Sequence, residues 1–128
     1  MNKNLRKVLV VTHLLPLLKM LRRSINFKKQ VRIGSSRLQG VSIYGSSVSV
    51  SEPWMRQLLQ AIMPLKSGVF CDVGVNLGQT LLCVKSVDKF REYIGFEPNP
   101  NCNMVLQELV RYNKWGDVRI VPVGLFTN

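Results

Sequence analysis

Apolar and polar positions change their period along this chain, and each change predicts an element. Between Val31 and Val50 they alternate loosely, as in Val31-Arg32-Ile33 and Val41-Ser42-Ile43-Tyr44, with Gly34, Gly40, Gly45 and several serines between the runs. A period of two sends every second side chain to one face, so short antiparallel strands are predicted here. Ser51 then offers an N-cap and Pro53 a first-turn residue. Trp54, Leu58 and Ile62 recur at spacing four, with Met55, Leu59 and Met63 one position on. This is an amphipathic helix ending near Pro64.

After the turn Lys66-Ser67-Gly68, the run from Val69 to Val73 reads as a short strand apolar on both faces, as buried parallel strands are. Thr80 to Val87 continues as a helix, and Tyr93 to Phe96 is a second strand. Asn101 to Asn113 is helical again, with Met104, Val105, Leu109 and Tyr112 on its apolar side, and Val118 to Val123 is a third strand. Strand and helix alternating through short connections predict right-handed crossovers and a parallel α/β sheet. The chain thus divides into a basic arm with short strands over 1–50 and an α/β unit over 51–128.

Charge sharpens that division. The 128 residues carry a net charge of +11, but ten basic residues precede the first acidic one, Glu52. The remainder holds eight basic against seven acidic residues. The basic residues come with no aromatic interleaving, which argues against nucleic acid as a partner. Val8 to Leu18 is apolar but interrupted by Thr12, His13 and Pro16, and falls short of the ~20 residues of a membrane span. Lys19, Arg22 and Arg23 stand where a signal-peptide cleavage site would lie. A basic N-terminal helix packed on the domain is expected, with peripheral contact to an anionic membrane through residues 1–37 as the alternative.

Cys71, Cys83 and Cys102 form no Cys-x-x-Cys pair, so no disulfide framework and no metal site is expected, and a reducing cytoplasm is the simplest compartment. All three read as small core or helix residues. Asp88, Glu92, Glu108 and Asp117 read as solvated charges without partners.

Two segments carry candidate chemistry. Asp72-Val73-Gly74-Val75-Asn76-Leu77-Gly78 joins a strand to a helix, where an open α/β sheet presents its ligand site. Gly74 and Gly78 let the backbone turn and approach a ligand, Asp72 offers a carboxylate suited to an ammonium group, and Asn76 can cap the helix or donate to the ligand. In the second segment, Tyr93-Ile94-Gly95-Phe96-Glu97-Pro98-Asn99-Pro100, Glu97 ends a strand 19 positions after Gly78. An acidic residue at about that offset accepts hydrogen bonds from ribose hydroxyls. Pro98 and Pro100 stiffen the exit from the strand, and Pro100 is placed to open the next helix. A dinucleotide fingerprint would need a glycine where Asn76 stands, and a carboxylate at Asp72 repels pyrophosphate but attracts a methionine amino group.

These two strings, with Val121-Pro122-Val123-Gly124-Leu125 later, resemble the FkbM family of methyltransferases over about residues 50–128. Val75 departs from the alanine usual there. The resemblance implies the N-terminal half of a class I, Rossmann-like methyltransferase sheet, S-adenosylmethionine as cofactor, and transfer of methyl to a hydroxyl of a sugar or other small molecule. It places Asp72, Gly74, Asn76 and Gly78 at the methionine end, Glu97 at the ribose, and Val123 and Gly124 near the adenine edge. It also implies a seven-stranded sheet in which the Val69–Val73 strand is central, so the chain is expected to be an N-terminal portion of a longer enzyme, inactive alone. No catalytic base is nominated. The competing expectations are a non-catalytic module held by the basic arm and a dinucleotide oxidoreductase.

Overall fold

The computed structural model describes residues 16–17, 20–21, 25–50 and 52–125. Most of the apolar run from Val8 to Leu18, together with His13 and Ser51, lies outside the described residues. Phe27–Ile33 (β1) and Ser36–Ile43 (β2) form an antiparallel hairpin through the two-residue turn Gly34-Ser35, and Ser46–Ser47 (β3) extends it. Tyr44 and Gly45 between β2 and β3 both have positive φ, 50° and 78°. Two such residues match the twist of the flanking strands, which is why a glycine stands at the second position.

Pro53–Ile62 is a helix (α1), followed by a 3₁₀ turn over Met63–Leu65. Its N-cap position is held by Glu52 rather than Ser51, with no side-chain cap. Of the two apolar stripes expected on α1, Leu59 and Met63 enter the core while Trp54, Leu58 and Ile62 stay exposed.

Phe70–Val73 (β4), Gln79–Val87 (α2), Tyr93–Phe96 (β5), Pro100–Asn113 (α3) and Val118–Val121 (β6) complete the chain as a βαβαβ unit. The three strands are parallel in the order β4-β5-β6, with Asp72 opposite Gly95 and Phe96 opposite Val121. The last strand stops at Val121, short of the expected Val123. Pro122 has no N–H for a ladder, and the Val123 N–H turns back to the Val121 carbonyl at 2.9 Å.

One face of this sheet, carrying Phe70, Tyr93, Val118 and Ile120, packs against the core. The core itself is built on Leu81, Leu82 and Val84 of α2 and Val105, Leu106 and Leu109 of α3. Met104, expected on the apolar side of α3, is exposed instead, and Leu106 takes the core position. The hairpin closes the core from outside through Ile33, Val41, Ile43 and Val48. A reciprocal pair holds it there: Gln39 N–H donates to Asn113 Oδ1 and Asn113 Nδ2 donates to the Gln39 carbonyl, both at 2.9 Å.

Strand β4 stands at an edge of the described sheet, as expected for this chain, but Cys71 and Val73, which read as buried, are exposed. The helices leave the face carrying these two side chains uncovered. Cys83 is buried and Cys102 half-buried on helices, so only Cys71 departs from the expected placement of the cysteines.

Three of the four acidic residues expected to be solvated and unpaired have partners. Asp88 pairs with Arg91 at 3.3 Å and Glu108 with Arg111 at 2.6 Å. Asp117 accepts from Lys85, whose side chain is fully buried, at 2.6 Å. The same Lys85 Nζ donates to the Arg91 carbonyl at 2.8 Å and the Lys89 carbonyl at 3.3 Å. All three donors of the ammonium are therefore used, which is what makes its burial tolerable. Arg91 adds bonds to the carbonyls of Met63, Lys66 and Gly68. This network ties the end of α2 to the starts of β4, β5 and β6, at the N-terminal end of the sheet.

Among the described residues no helix is long and apolar enough to cross a membrane.

Candidate ligand site at the strand C-terminal ends

The C-terminal ends of β4 and β5 lie side by side, and the turn from Gly74 to Gly78 is folded against the end of β5. Gly74 N–H and Val75 N–H both reach the Phe96 carbonyl, at 2.9 and 3.3 Å. Backbone conformation explains the residue choice. Gly74 has φ 84°, Asn76 φ 53° and Gly78 φ 89°. Asparagine tolerates the left-handed region better than most residues, so it serves where the second glycine of a dinucleotide turn would be.

The two glycines do different work. A Cβ placed on Gly74 would meet nothing within 4 Å, so this residue presents bare, open backbone. A Cβ on Gly78 would lie 2.9 Å from Cδ2 of both Leu106 and Leu109. Gly78 is buried under α3, where its lack of a side chain lets the turn and the helix approach. It also holds the N-cap position of α2, so Asn76 does not cap that helix.

Glu97 is 6% exposed and fixed through both oxygens. Oε2 accepts the Asn76 N–H at 2.7 Å and Oε1 accepts the Asn99 N–H at 2.8 Å. One carboxylate thus joins the glycine turn to the loop leaving β5. A carboxylate has about four lone-pair directions, so each oxygen retains one for a further donor. Asn99 in turn caps α3, accepting from Asn101 N–H at 2.9 Å, with Pro100 at the first helical position as expected.

Asp72 is turned toward the packed side of the sheet. Its Oδ2 accepts the hydroxyl of Tyr93, a buried ring that stacks on Phe70. Burial first, and then the hydrogen bond and charge of Asp72, push the Tyr93 hydroxyl far above the ordinary tyrosine range. The phenol therefore stays a donor. Cys102 lies close by, its thiol donating to Asn76 Oδ1 at 3.4 Å. Burial and then the Glu97 charge raise its pKa, so it too remains protonated.

Beside the turn opens a cavity of about 330 Å³ lined by Asn76, Leu77, Asn99, Cys102 and, from the hairpin, Tyr44 and Ser46. Of the residues singled out in sequence, Asp72, Gly74, Asn76 and Glu97 come together at the strand ends. Gly78 sits behind them in the packing. Val123 and Gly124 leave β6 on the same edge, where Pro98 Cγ lies 3.7 Å from the Cβ position of Gly124. Sequence reading missed Tyr93, Asn99 and Cys102. Asn99 had a signal, an asparagine directly before a helix-opening proline, whereas the Tyr93–Asp72 bond depends on strand register. No group of His, Cys, Asp and Glu side chains among the described residues is arranged to hold a metal ion.

No protein-family model matches this chain, and no curated protein matches it in sequence. Among solved structures, that of the SAH-bound Podospora anserina methyltransferase PaMTH1 is similar, with a TM-score of 0.47 and 18% identity over 59% of this chain and 32% of that one. This chain therefore matches about a third of the length of that protein. So distant a likeness transfers no ligand and no residue role.

Proposed function

We propose that the chain binds S-adenosylmethionine at the C-terminal ends of β4 and β5, as the cofactor-binding part of a methyltransferase of the FkbM kind. One observation carries this reading: Glu97 is held rigidly by backbone N–H groups of two loops, next to the open backbone of Gly74, where parallel strands end. An acceptor fixed before the ligand arrives suits vicinal ribose hydroxyls, which need two lone pairs at set positions. A bare glycine with open space in front admits a ligand against the main chain.

Asp72 supplies the second negative charge. Its Oδ2 accepts the Tyr93 hydroxyl, and Oδ1 would take the ligand ammonium. Asn76 and Gly74 shape the turn between the two carboxylates. Gly78 supports the methionine end from behind, through its contact with α3. When bound, S-adenosylmethionine supplies a sulfonium methyl group, and the residues described here position it. A hydroxyl on a glycan or other small molecule is the acceptor the FkbM resemblance supports. Removing its proton is general-base work that Asp72 and Glu97, already holding donors, are not assigned.

Titration calorimetry of the full chain tests the reading. Saturable heat with S-adenosylmethionine and none with NAD is expected, because Asp72 and Glu97 put two negative charges at the strand ends and the pyrophosphate-contacting glycine is absent. Heat with NAD and none with S-adenosylmethionine would replace this reading with a dinucleotide site.

A further inference from the structure

Residues 1–51 contain no acidic side chain, and the structure shows where part of that imbalance collects. Arg32 and Arg37 are direct cross-strand partners on β1 and β2. Their side chains leave the same face at neighbouring positions, a placement that costs stability when both are charged. Arg56 of α1 reaches the same hairpin turn, where a Cβ on Gly34 would lie 2.5 Å from its Cζ. Arg32 Nε donates to the Gly34 carbonyl at 3.3 Å. Three arginines therefore gather at one turn.

Among the described residues no carboxylate lies within ion-pair distance of them. The ion pairs found among the described residues join Lys85 to Asp117, Arg91 to Asp88 and Arg111 to Glu108. Arg56 Nε is buried with no hydrogen-bond partner. Strand β1 forms one edge of its sheet and carries Lys28 and Arg32 on one face and Lys29 on the other, all exposed, so the basic surface runs along about 13 Å of strand. A fixed row of cations without carboxylates attracts anions.

Apolar side chains precede β1 in the chain. Leu17, Met20, Leu21 and Ile25, just ahead of β1, are all exposed. Residues 17, 20 and 21 are helical, and their spacing of three and four puts them on one side of a helix. In the sequence Lys19, Arg22 and Arg23 stand among them. A lipid interface accepts both kinds of side chain, apolar ones at the acyl boundary and cations among the head groups. Nucleic acid would satisfy the arginines and leave the four apolar residues uncovered.

We propose that the arginine cluster at Arg32, Arg37 and Arg56, the exposed cations of β1 and the apolar residues ahead of it form one docking surface for an anionic membrane. The arginine cluster lies at the Gly34-Ser35 turn, at the opposite end of the hairpin from Tyr44 and Ser46, which line the cavity beside Asn76. Vesicle flotation of the full chain tests it, using phosphatidylcholine with and without phosphatidylserine. Binding is expected only with phosphatidylserine, and salt should weaken it. Substituting both Arg32→Gln and Arg37→Gln should lower affinity about thirty-fold, taking the usual contribution of a cation near an anionic surface. That variant should melt no lower than the wild type, since it relieves a like-charge pair. Substituting both Leu17→Ser and Leu21→Ser should also weaken binding, with charge unchanged. Equal binding to pure phosphatidylcholine, or none to phosphatidylserine vesicles, would overturn the proposal. So would serine variants that bind like the wild type while duplex DNA competes, which would mark a general polyanion surface.

Discussion

The two ends of the parallel sheet each carry a polar network, and they are built in opposite ways. At the N-terminal end a cation, Lys85, is buried and spends its three protons on Asp117 and two carbonyls. The cluster is closed. At the C-terminal end an anion, Glu97, takes two backbone N–H groups and keeps lone pairs in reserve, beside a glycine with open space before it. That network is fixed but incomplete. Both orient loops, yet only the second has capacity left for something that is not protein. A satisfied buried network contributes to stability, whereas a rigid and unsaturated one is prepared for a ligand.

Substitutions at the two ends should therefore separate stability from binding. The largest effect is expected at the closed end. Asp117→Ala leaves Lys85 charged and buried with carbonyls alone, and should cost about 3 kcal/mol of unfolding free energy. Affinity of the folded fraction for S-adenosylmethionine should stay unchanged. Denaturant melts with ligand titrations on the same samples check both parts. A loss of affinity without a loss of stability would erase the distinction between the two ends.

Next comes Gly78→Ala, which forces a methyl group against Leu106 and Leu109 at a residue with φ 89°. Overpacking and backbone strain together should cost about 2 kcal/mol. Gly74→Ala shares the backbone strain but has no clash, so its stability loss should be visibly smaller while its ligand affinity falls. Equal stability losses would show that the two glycines do not differ as the packing indicates.

Glu97→Gln tests the open end. The amide puts an NH₂ group against a backbone N–H, and should lower affinity for S-adenosylmethionine about tenfold or more, with about 1 kcal/mol of stability lost. Calorimetry and thermal melts distinguish the two effects.

The smallest effect belongs to Tyr93. Its folded pKa is raised by burial and by Asp72, so the proton is held more tightly in the folded state. Its stabilising contribution is complete below the unfolded value of about 10 and is lost as pH rises beyond it. Tyr93→Phe should cost about 1 kcal/mol at neutral pH and flatten the alkaline fall in stability. A wild-type alkaline limb in that variant would remove Tyr93 as its source.

The open end was more legible in sequence than the closed one. Glu97 and the glycine turn are found from local spacing, because a strand, a turn and a helix of ordinary length fix how far along the chain the next strand must end. Strand β5 and the opening of α3 follow from residues adjacent in sequence, Tyr93 to Phe96 and Pro100. The burial of Lys85 does not. It sits in Leu81-Leu82-Cys83-Val84-Lys85-Ser86-Val87, where a lysine normally marks the wet side, and its partner lies 32 positions away. The packing role of Gly78 depends on Leu106 and Leu109 in the same long-range sense. An apolar run such as Val69 to Val73 does not reveal which of its faces other segments cover, so β4 reads as buried on both faces while Val73 is 61% exposed.

Backbone amide shifts on adding S-adenosylmethionine to the labelled full chain test the difference between the two ends most directly. Saturable shifts at Gly74, Asn76 and Asn99, with Lys89, Arg91 and Asp117 unmoved, are the predicted result. Shifts confined to the Lys85 end of the sheet, or none at saturating ligand, would contradict it.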